Sequence, residues 1–468
     1  MRSIPSCSIR PRIVVGVLVL SWTISPGAAR AVTAEELETL RDEIRREREA
    51  LADERRALED QRLRLDQALE QIEGRGAGAG LPAVSAEPDK GEHIRLDIYG
   101  FVHTDAIYDL NRVDPDWKAT LRPSRIPVNC PGDAGCGNDG ETVLSVRQSR
   151  LGFRGFIPTA LGELETQFEF ELFGVGDDAG ETTFRLRHAY GELGPFGAGQ
   201  TWSLFMDPDV FPNTIDYWGP VGMVFFRNPQ VRYTPLSSEH WRAAVAIESP
   251  GSALDQGRID ASDLSDFGDD FSSWDRFPDL TAQVRHQGNW GHVQLAGIVR
   301  YLGFEIRSND GGDPDGWELG YAANLSGSFR LFEEDSIVWQ VAGGRGFAGY
   351  MNDGGTDIAP NGDLDEARAV PGLGWLLYYN RQWTPRWTSA LGFSEHRQWN
   401  TKGQSDSAFE TGQYGNVNLL FHPIPQMYVG PEFVWGRREN NDGKSGDDSR
   451  LQVSFHYKFG ASLLNRPD

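Results

Sequence analysis

The chain has 468 residues, more than one ordinary soluble domain needs, yet only 39% are hydrophobic. After the N-terminal segment no stretch approaches the roughly 20 apolar residues of a helical span, which excludes a helical membrane protein. Acidic residues outnumber basic ones 68 to 45, which argues against a nucleic-acid partner.

Residues 1–31 read as a secretory signal. Arg2, Arg10 and Arg12 precede the apolar run Ile13 to Leu20, and Ala29-Arg30-Ala31 supplies a small-x-small cleavage site. Cys7 precedes the apolar run and would leave with the signal. Removing the four arginines of this segment leaves 41 basic against 68 acidic residues, a net charge of −27.

Residues 32–73 form a second segment. Thr33 and Glu36 make a capping-box pattern, and Leu37, Ile44, Leu51, Leu58, Leu65 and Ile72 recur at intervals of seven, one column of a coiled coil. The companion column (Leu40, Glu47, Glu54, Gln61, Ala68) is poor. A weak coiled coil that relies on the rest of the chain for assembly and a solvated single helix both stay open. Residues 74–92, rich in Gly, Ala and Pro, read as a flexible linker.

From residue 93 to 459 the pattern changes to period-two alternation. Leu164, Thr166, Phe168, Phe170 and Leu172 alternate with Glu163, Glu165, Gln167, Glu169 and Glu171; Leu451, Val453, Phe455, Tyr457 and Phe459 alternate with Arg450, Gln452, Ser454, His456 and Lys458. Connections are alternately short, as at Gly194-Pro195 and Gly288-Asn289, and long, mostly Asp- and Gly-rich. A soluble sandwich gives no such asymmetry, whereas a closed antiparallel sheet crossing a membrane keeps tight turns on one side and long loops on the other. The count predicts an all-β fold, a 16-stranded antiparallel transmembrane β-barrel, preceded by the helical segment. Trp387, Trp399 and Trp435 fall near strand ends, as interfacial aromatic girdles do. Residues 460–468 read as a C-terminal tail.

Cys130 and Cys136 sit in the first long loop. With an export signal present and no His or second Cys pair nearby, a loop-stapling disulfide is the reading, and no metal site is predicted.

The third long connection, residues 205–228, carries Phe211, Ile215, Tyr217, Trp218, Val221, Met223, Val224, Phe225 and Phe226. So apolar a loop is costly to leave in water, and folding it inward against the barrel wall removes that cost; a trimer-contact or surface loop is the alternative, since apolar patches also mark interfaces. Asp207, Asp209, Asp216 and Tyr217 would then form one side of a constriction. Opposite them, Arg147, Arg150 and Arg154 lie on the second strand, Arg185 and Arg187 on the fourth, Arg232 on the sixth, Arg285 on the eighth and Arg300 on the ninth. An Arg facing lipid at mid-membrane costs roughly 2 to 4 kcal/mol, so these side chains are expected in the lumen, where they would bind and select anions. Arg147 and Arg150 have opposite parity, which calls for a bulge or a headgroup position at one of them. If Glu163, Glu165, Glu169 and Glu171 of the third strand neutralise the neighbouring arginines, the ladder is structural and the pore only weakly selective; both outcomes stay open.

Three runs carry a family resemblance: YGFVHTDAIYDLN from Tyr99, SVRQSRLGFRG from Ser145 and FGAGQTWSLFMDPDVFPNTIDYWGP from Phe196. In these, and over nearly all of the chain after the signal, the sequence resembles the DcaP-like family of trimeric outer-membrane porins. The resemblance implies a homotrimeric porin in the bacterial outer membrane with its N-terminal helix in the periplasm, passing small anionic solutes such as dicarboxylates. One departure is that the chain continues nine residues past Phe459, where such barrels usually end on an aromatic residue. Outer-membrane lipid and lipopolysaccharide are the expected surroundings, with a periplasmic or cell-wall contact possible through the helix.

An enzyme is the competing class. Neither Gly-x-Ser-x-Gly nor His-Glu-x-x-His occurs, Gly443-Lys444-Ser445 lacks the first glycine of a phosphate loop, and the histidines are scattered; neither catalysis nor a cofactor is expected. A structural role tethering the envelope through the helix is the other alternative.

Overall fold

The computed structural model describes residues 94–464 apart from 131, 133–135, 137–138, 252–270, 274–275, 307–314, 333 and 362–365. The signal segment, the heptad helix and the linker lie outside the described residues.

Nineteen strand segments join in one antiparallel sheet, and three strands are each broken in two, so the sheet has sixteen staves. In chain order these are β1 (Arg95–Asp109), β2 (Glu141–Ser145 and Arg150–Thr159), β3 (Gly162–Phe173), β4 (Thr182–Leu193), β5 (Phe196–Trp202), β6 (Arg227–Ser237), β7 (Trp241–Glu248) and β8 (Phe271–Ser273 and Asp279–Gly288). The second half comprises β9 (Gly291–Ile306), β10 (Asp315–Leu331), β11 (Asp335–Arg345), β12 (Pro371–Thr384), β13 (Trp387–Gln398), β14 (Phe409–Asn418 and Leu420–Ile424), β15 (Met427–Asn440) and β16 (Ser445–Leu464). Each stave pairs with its sequence neighbour, and β16 pairs back onto β1 from Arg95↔Leu464 to Asp109↔Arg450. The cylinder is closed, with neither end strand of the sheet left as an open edge.

The last pairing corrects one expectation. Residues 460–464 are not a tail; Gly460 to Leu464 continue β16 opposite Tyr99 to Arg95. A strand that stopped at Phe459 would leave Arg95 to Tyr99 without strand partners on that side.

Alternation sorts the side chains. On β16 Leu451, Val453, Phe455, Tyr457 and Phe459 face outward and exposed, while Arg450, Gln452, Ser454 and His456 are buried inside. On β3 Phe168 faces out, and Glu169 and Glu171 point in. Trp383, Trp387, Trp241 and Trp317 are exposed near strand ends. Tight turns such as Ala160-Leu161 and Pro425-Gln426 close one end of the cylinder; Gly162 adopts φ 123° at the first of them, a conformation disfavoured for a residue with a Cβ.

The hydrophobic core lies within the lumen rather than behind the sheet. Loop residues Phe205, Met206, Val210, Met223, Val224 and Phe226, together with Phe347, Tyr350 and Met351 from the β11–β12 connection, pack against Ile298, Val338, Leu376 and Tyr378 of the wall. The inward loop spans residues 203–226, since β5 ends at Trp202 and β6 begins at Arg227. Gly222 makes its approach possible: a Cβ there would sit 2.3 Å from the carbonyl oxygens of Trp375 and Glu395 on β12 and β13.

The β1–β2 connection folds inward as well. Its Arg122 is fully buried, 2.8 Å from Asp353 of the β11–β12 connection and sandwiched between the rings of Trp117 (4.0 Å) and Trp218 (4.2 Å). In this connection Cys130 and Cys136 are disulfide-bonded, with their Cα atoms 5.5 Å apart.

Candidate functional site

The side of the lumen left by the core is bounded by β2, β4 and β5, where a cavity of about 260 Å³ remains. Two bulges aim charged groups at it. On β2, Val146 to Ser149 stand opposite three residues of β1, because Asp105 pairs with Ser145 and Phe101 with Arg150. The extra residue flips the parity, so Arg147 and Arg150 both point inward. On β4, Glu169 pairs with His188 and Phe170 with Leu186, which leaves Arg187 as the extra residue and turns Arg187 and His188 to the same side.

Around two carboxylates of β3 the guanidinium groups gather. Arg187 Nε donates to Glu169 Oε1 and its Nη1 to Glu171 Oε2, both at 2.7 Å. Arg150 lies 3.4 Å from each of the same carboxylates, and Arg185 Nη1 lies 3.6 Å from Glu171. Tyr99 donates to Glu169 at 2.9 Å, and Tyr217, stacked on Phe173, donates to Glu171. Arg150, Arg185 and Arg187 line the cavity, whereas Glu169 and Glu171 are not among its lining residues and hold the arginines from behind.

The remaining arginines have other surroundings. Arg147 is buried, donates to the Gly174 carbonyl at 2.9 Å and sits over the Phe173 ring. Arg154 is exposed, with its guanidinium carbon 5.1 Å from the Tyr99 ring centre. Arg232 donates to the Trp202 carbonyl at 2.6 Å. Arg285 reaches Asp209 at 2.5 Å and Asp207 at 3.4 Å. Arg300 is buried between Asp279 (3.0 Å) and Asp357 (2.8 Å), a structural ion triad away from the cavity. The ladder expected from sequence therefore divides: Arg150, Arg185 and Arg187 come together, and Arg147, Arg154, Arg232, Arg285 and Arg300 do not join them.

The loop carboxylates also differ from expectation. Asp207 and Asp216 are both buried anchors of the loop; Asp216 borders the cavity lined by Arg150, Arg185 and Arg187, and Asp207 lies 3.4 Å from Arg285. Asp207 accepts from His292 and Ser326, each at 2.8 Å. Asp216 accepts from Thr120 Oγ1, the Leu121 and Gly219 amides and Tyr414. A chain segment threaded into a lumen loses water from its polar groups and must recover each bond from the protein, which is why these carboxylates are saturated with protein donors. Asp209 alone of the three is exposed, beside Arg285. Burial alone would raise the Asp207 carboxyl, but the His292 and Ser326 hydrogen bonds and nearby Arg285 outweigh it and hold the group below the usual carboxylate range.

Several residues escaped sequence reasoning. Glu432 on β15 accepts from Thr214 Oγ1, the Ile215 and Asp216 amides, and the side chains of Asn416 and Asn418, pinning the loop tip to the far wall. A lone carboxylate at an inward position between Pro431 and Phe433 was the available signal. Trp202, in the run that begins at Phe196, has the guanidinium carbons of Arg187 at 5.5 Å and Arg227 at 5.1 Å from its ring centre, a role its sequence position does not signal.

With the geometry in place, comparison with known proteins identifies the lineage. The DcaP outer membrane protein family matches residues 34–459. The chain belongs to that family. The crystal structure of the outer membrane channel DcaP of Acinetobacter baumannii superposes with a TM-score of 0.67 at 20% identity, covering 78% of this chain and 97% of that one. An anion-selective porin from Comamonas acidovorans (TM-score 0.49, 11% identity, 78% and 99% covered) and an OmpF of Salmonella typhi in complex with daunomycin (0.49, 11%, 78% and 97%) are more distant likenesses. Among curated proteins, none matches the sequence at a significant level. This DcaP-family chain is thus an outer-membrane β-barrel of the porin type, with a closed wall and an inward-folded third loop.

Proposed function

We propose that the barrel passes small anionic solutes, carboxylates among them, by passive diffusion, and that it is a channel rather than an enzyme. The observation that carries this reading is the polarity of the cavity wall: Arg150, Arg185 and Arg187 line it with one carboxylate, Asp216, and the carboxylates that fix the arginines do not. Fixed guanidinium groups in a narrow aqueous passage attract anions, repel cations and grip a carboxylate through two parallel N–H donors. Dicarboxylates belong to the reading through the family resemblance. So do assembly as a homotrimer and a periplasmic position for the heptad helix, while export belongs to it through the signal-like residues 1–31.

Planar-bilayer recording tests it. Purified protein should give stepwise conductance that prefers chloride to potassium, and a silent or cation-preferring trace would overturn the reading.

A further inference from the structure

The outer wall of the barrel carries a groove across β8 to β11. Its floor is one paired row of outward positions, Ala282 with Gly297, Gly297 with Ala323 and Ala323 with Gly343. The rows on either side are bulky and exposed: Leu280, Val299 and Tyr321 form one ridge, and Leu295, Leu325 and Val341 the other. Three strand spacings make the floor roughly 14 Å long. Beyond it the groove continues over β7 to Tyr233 and Phe196, for a volume of about 890 Å³. A Cβ added at Gly297 would meet nothing nearer than the Ala322 carbonyl oxygen at 3.8 Å, so the depth there comes from the missing side chain.

One end of the groove is charged. Arg345, the last residue of β11, pairs with Tyr321 and Pro371, and Trp399 continues this row by donating its N–H to the Pro371 carbonyl at 3.0 Å. That end lies on the long-loop side of the barrel, whereas Phe196 at the other end follows the tight Gly194-Pro195 turn. Long loops face outward and tight turns the periplasm, which puts Arg345 toward the outer leaflet. Its guanidinium carbon is 5.6 Å from the Tyr321 ring centre, and it makes no ion pair among the described residues. Arg397 and Arg437, outward at the same end, each hold a carboxylate, Glu410 at 3.0 Å and Asp447 at 3.4 Å. A lipid-facing arginine without a counter-ion is unfavourable until an anion of the headgroup layer meets it.

We infer that this groove seats an acyl chain of a phosphorylated glycolipid of the outer leaflet, of the lipid A type, with its phosphate on Arg345. The site is on the outer wall and does not depend on which solute the lumen passes. Lipid tails are as apolar as leucine, so a chain gains little on a flat wall; in the groove it gains dispersion contacts on three sides. The guanidinium then selects the lipid, because its fork matches a phosphate through two parallel N–H donors. A second barrel fits this face less well. Its convex wall would rest on the two ridges, leave the groove void and lay apolar side chains on Arg345.

Native mass spectrometry of the full-length protein in detergent, titrated with diphosphorylated lipid A and with the same lipid stripped of phosphate, provides the test. The wild type should bind the phosphorylated form roughly tenfold more tightly, and Arg345→Gln should remove that preference. Gly297→Leu, which fills the floor, should weaken binding of both forms. Both changed side chains face outward, so single-channel conductance should stay that of the wild type. Where one variant does not fold, the other and the wild-type comparison of the two lipids decide. Equal binding of the two lipids, or lipid binding that a folded variant leaves unchanged, would overturn the site. A Gly297→Leu protein with fewer chains per particle and unaltered lipid binding would overturn it too, and would assign the face to contact between copies of this chain.

Discussion

Glu432 accepts the backbone N–H of Asp216 at 2.9 Å, joining the tip of the inward loop to the strand that lies across the lumen from the loop's base. The loop starts at β5 and ends at β6, so without a far anchor it would hang from one side of the barrel. Five donors converge on this one buried carboxylate, and its loss leaves the Thr214 hydroxyl and the Ile215 and Asp216 amides unsatisfied, while Asn416 and Asn418 keep Thr214 Oγ1 and the Asn213 carbonyl.

Replacing Glu432 by Ala should therefore release the loop tip. Unmet buried donors cost ~1 to 3 kcal/mol each, enough to offset the packing of Ile215 and Trp218. The expected outcome is larger single-channel conductance with greater open-channel noise, and an unchanged trace would show that the core packing holds the loop by itself.

Arg122 and Asp353 lock two other connections together inside the barrel mouth. Burial pulls the Arg122 guanidinium down to about 10, so it stays charged at neutral pH and needs its counter-ion. Asp353→Ala removes the carboxylate of this buried ion pair, a change of about 3 to 5 kcal/mol. Faster limited proteolysis in the β1–β2 connection, together with altered fluorescence of the flanking Trp117 and Trp218, should report the opened lock.

The base of the inward loop carries a pH dependence of known sign. Asp207 is held below the usual carboxylate value by His292, Ser326 and Arg285 against the opposing effect of burial. Its contribution is therefore fully present above the unfolded value of about 3.9 and is lost as pH falls through the lower folded value. Channel noise should stay constant from pH 7 to 5 and rise below about pH 4. Asp207→Asn should show the noisier trace already at pH 7.

Alternation and turn rhythm made the wall legible, because both follow from local chemistry: a strand of Leu, Phe and Val against Glu and Arg has one way to face hydrocarbon. The opposite parities of Arg147 and Arg150 pointed to the bulge that separates them. Within the lumen the same logic fails. Asp207 and Asp216 looked like channel residues since loop carboxylates normally face water; only the three-dimensional path of the loop shows that their partners are a strand histidine and the Leu121 amide. Arg300 read like Arg187 in sequence, yet Asp279 and Asp357, from an adjacent strand and a distant loop, enclose it. The end of β16 was hidden because Gly460 to Leu464 alternates weakly, and its pairing is dictated by β1.

The central claim is that arginines held from behind by Glu169 and Glu171 give the passage its charge preference. Reversal potential in a potassium chloride gradient measures it most directly, on the wild type and on Arg185→Ala combined with Arg187→Ala. The account predicts chloride preference in the wild type and its loss, or a turn toward potassium as the two carboxylates become uncovered, in the double variant. Equal reversal potentials for the two proteins would contradict it.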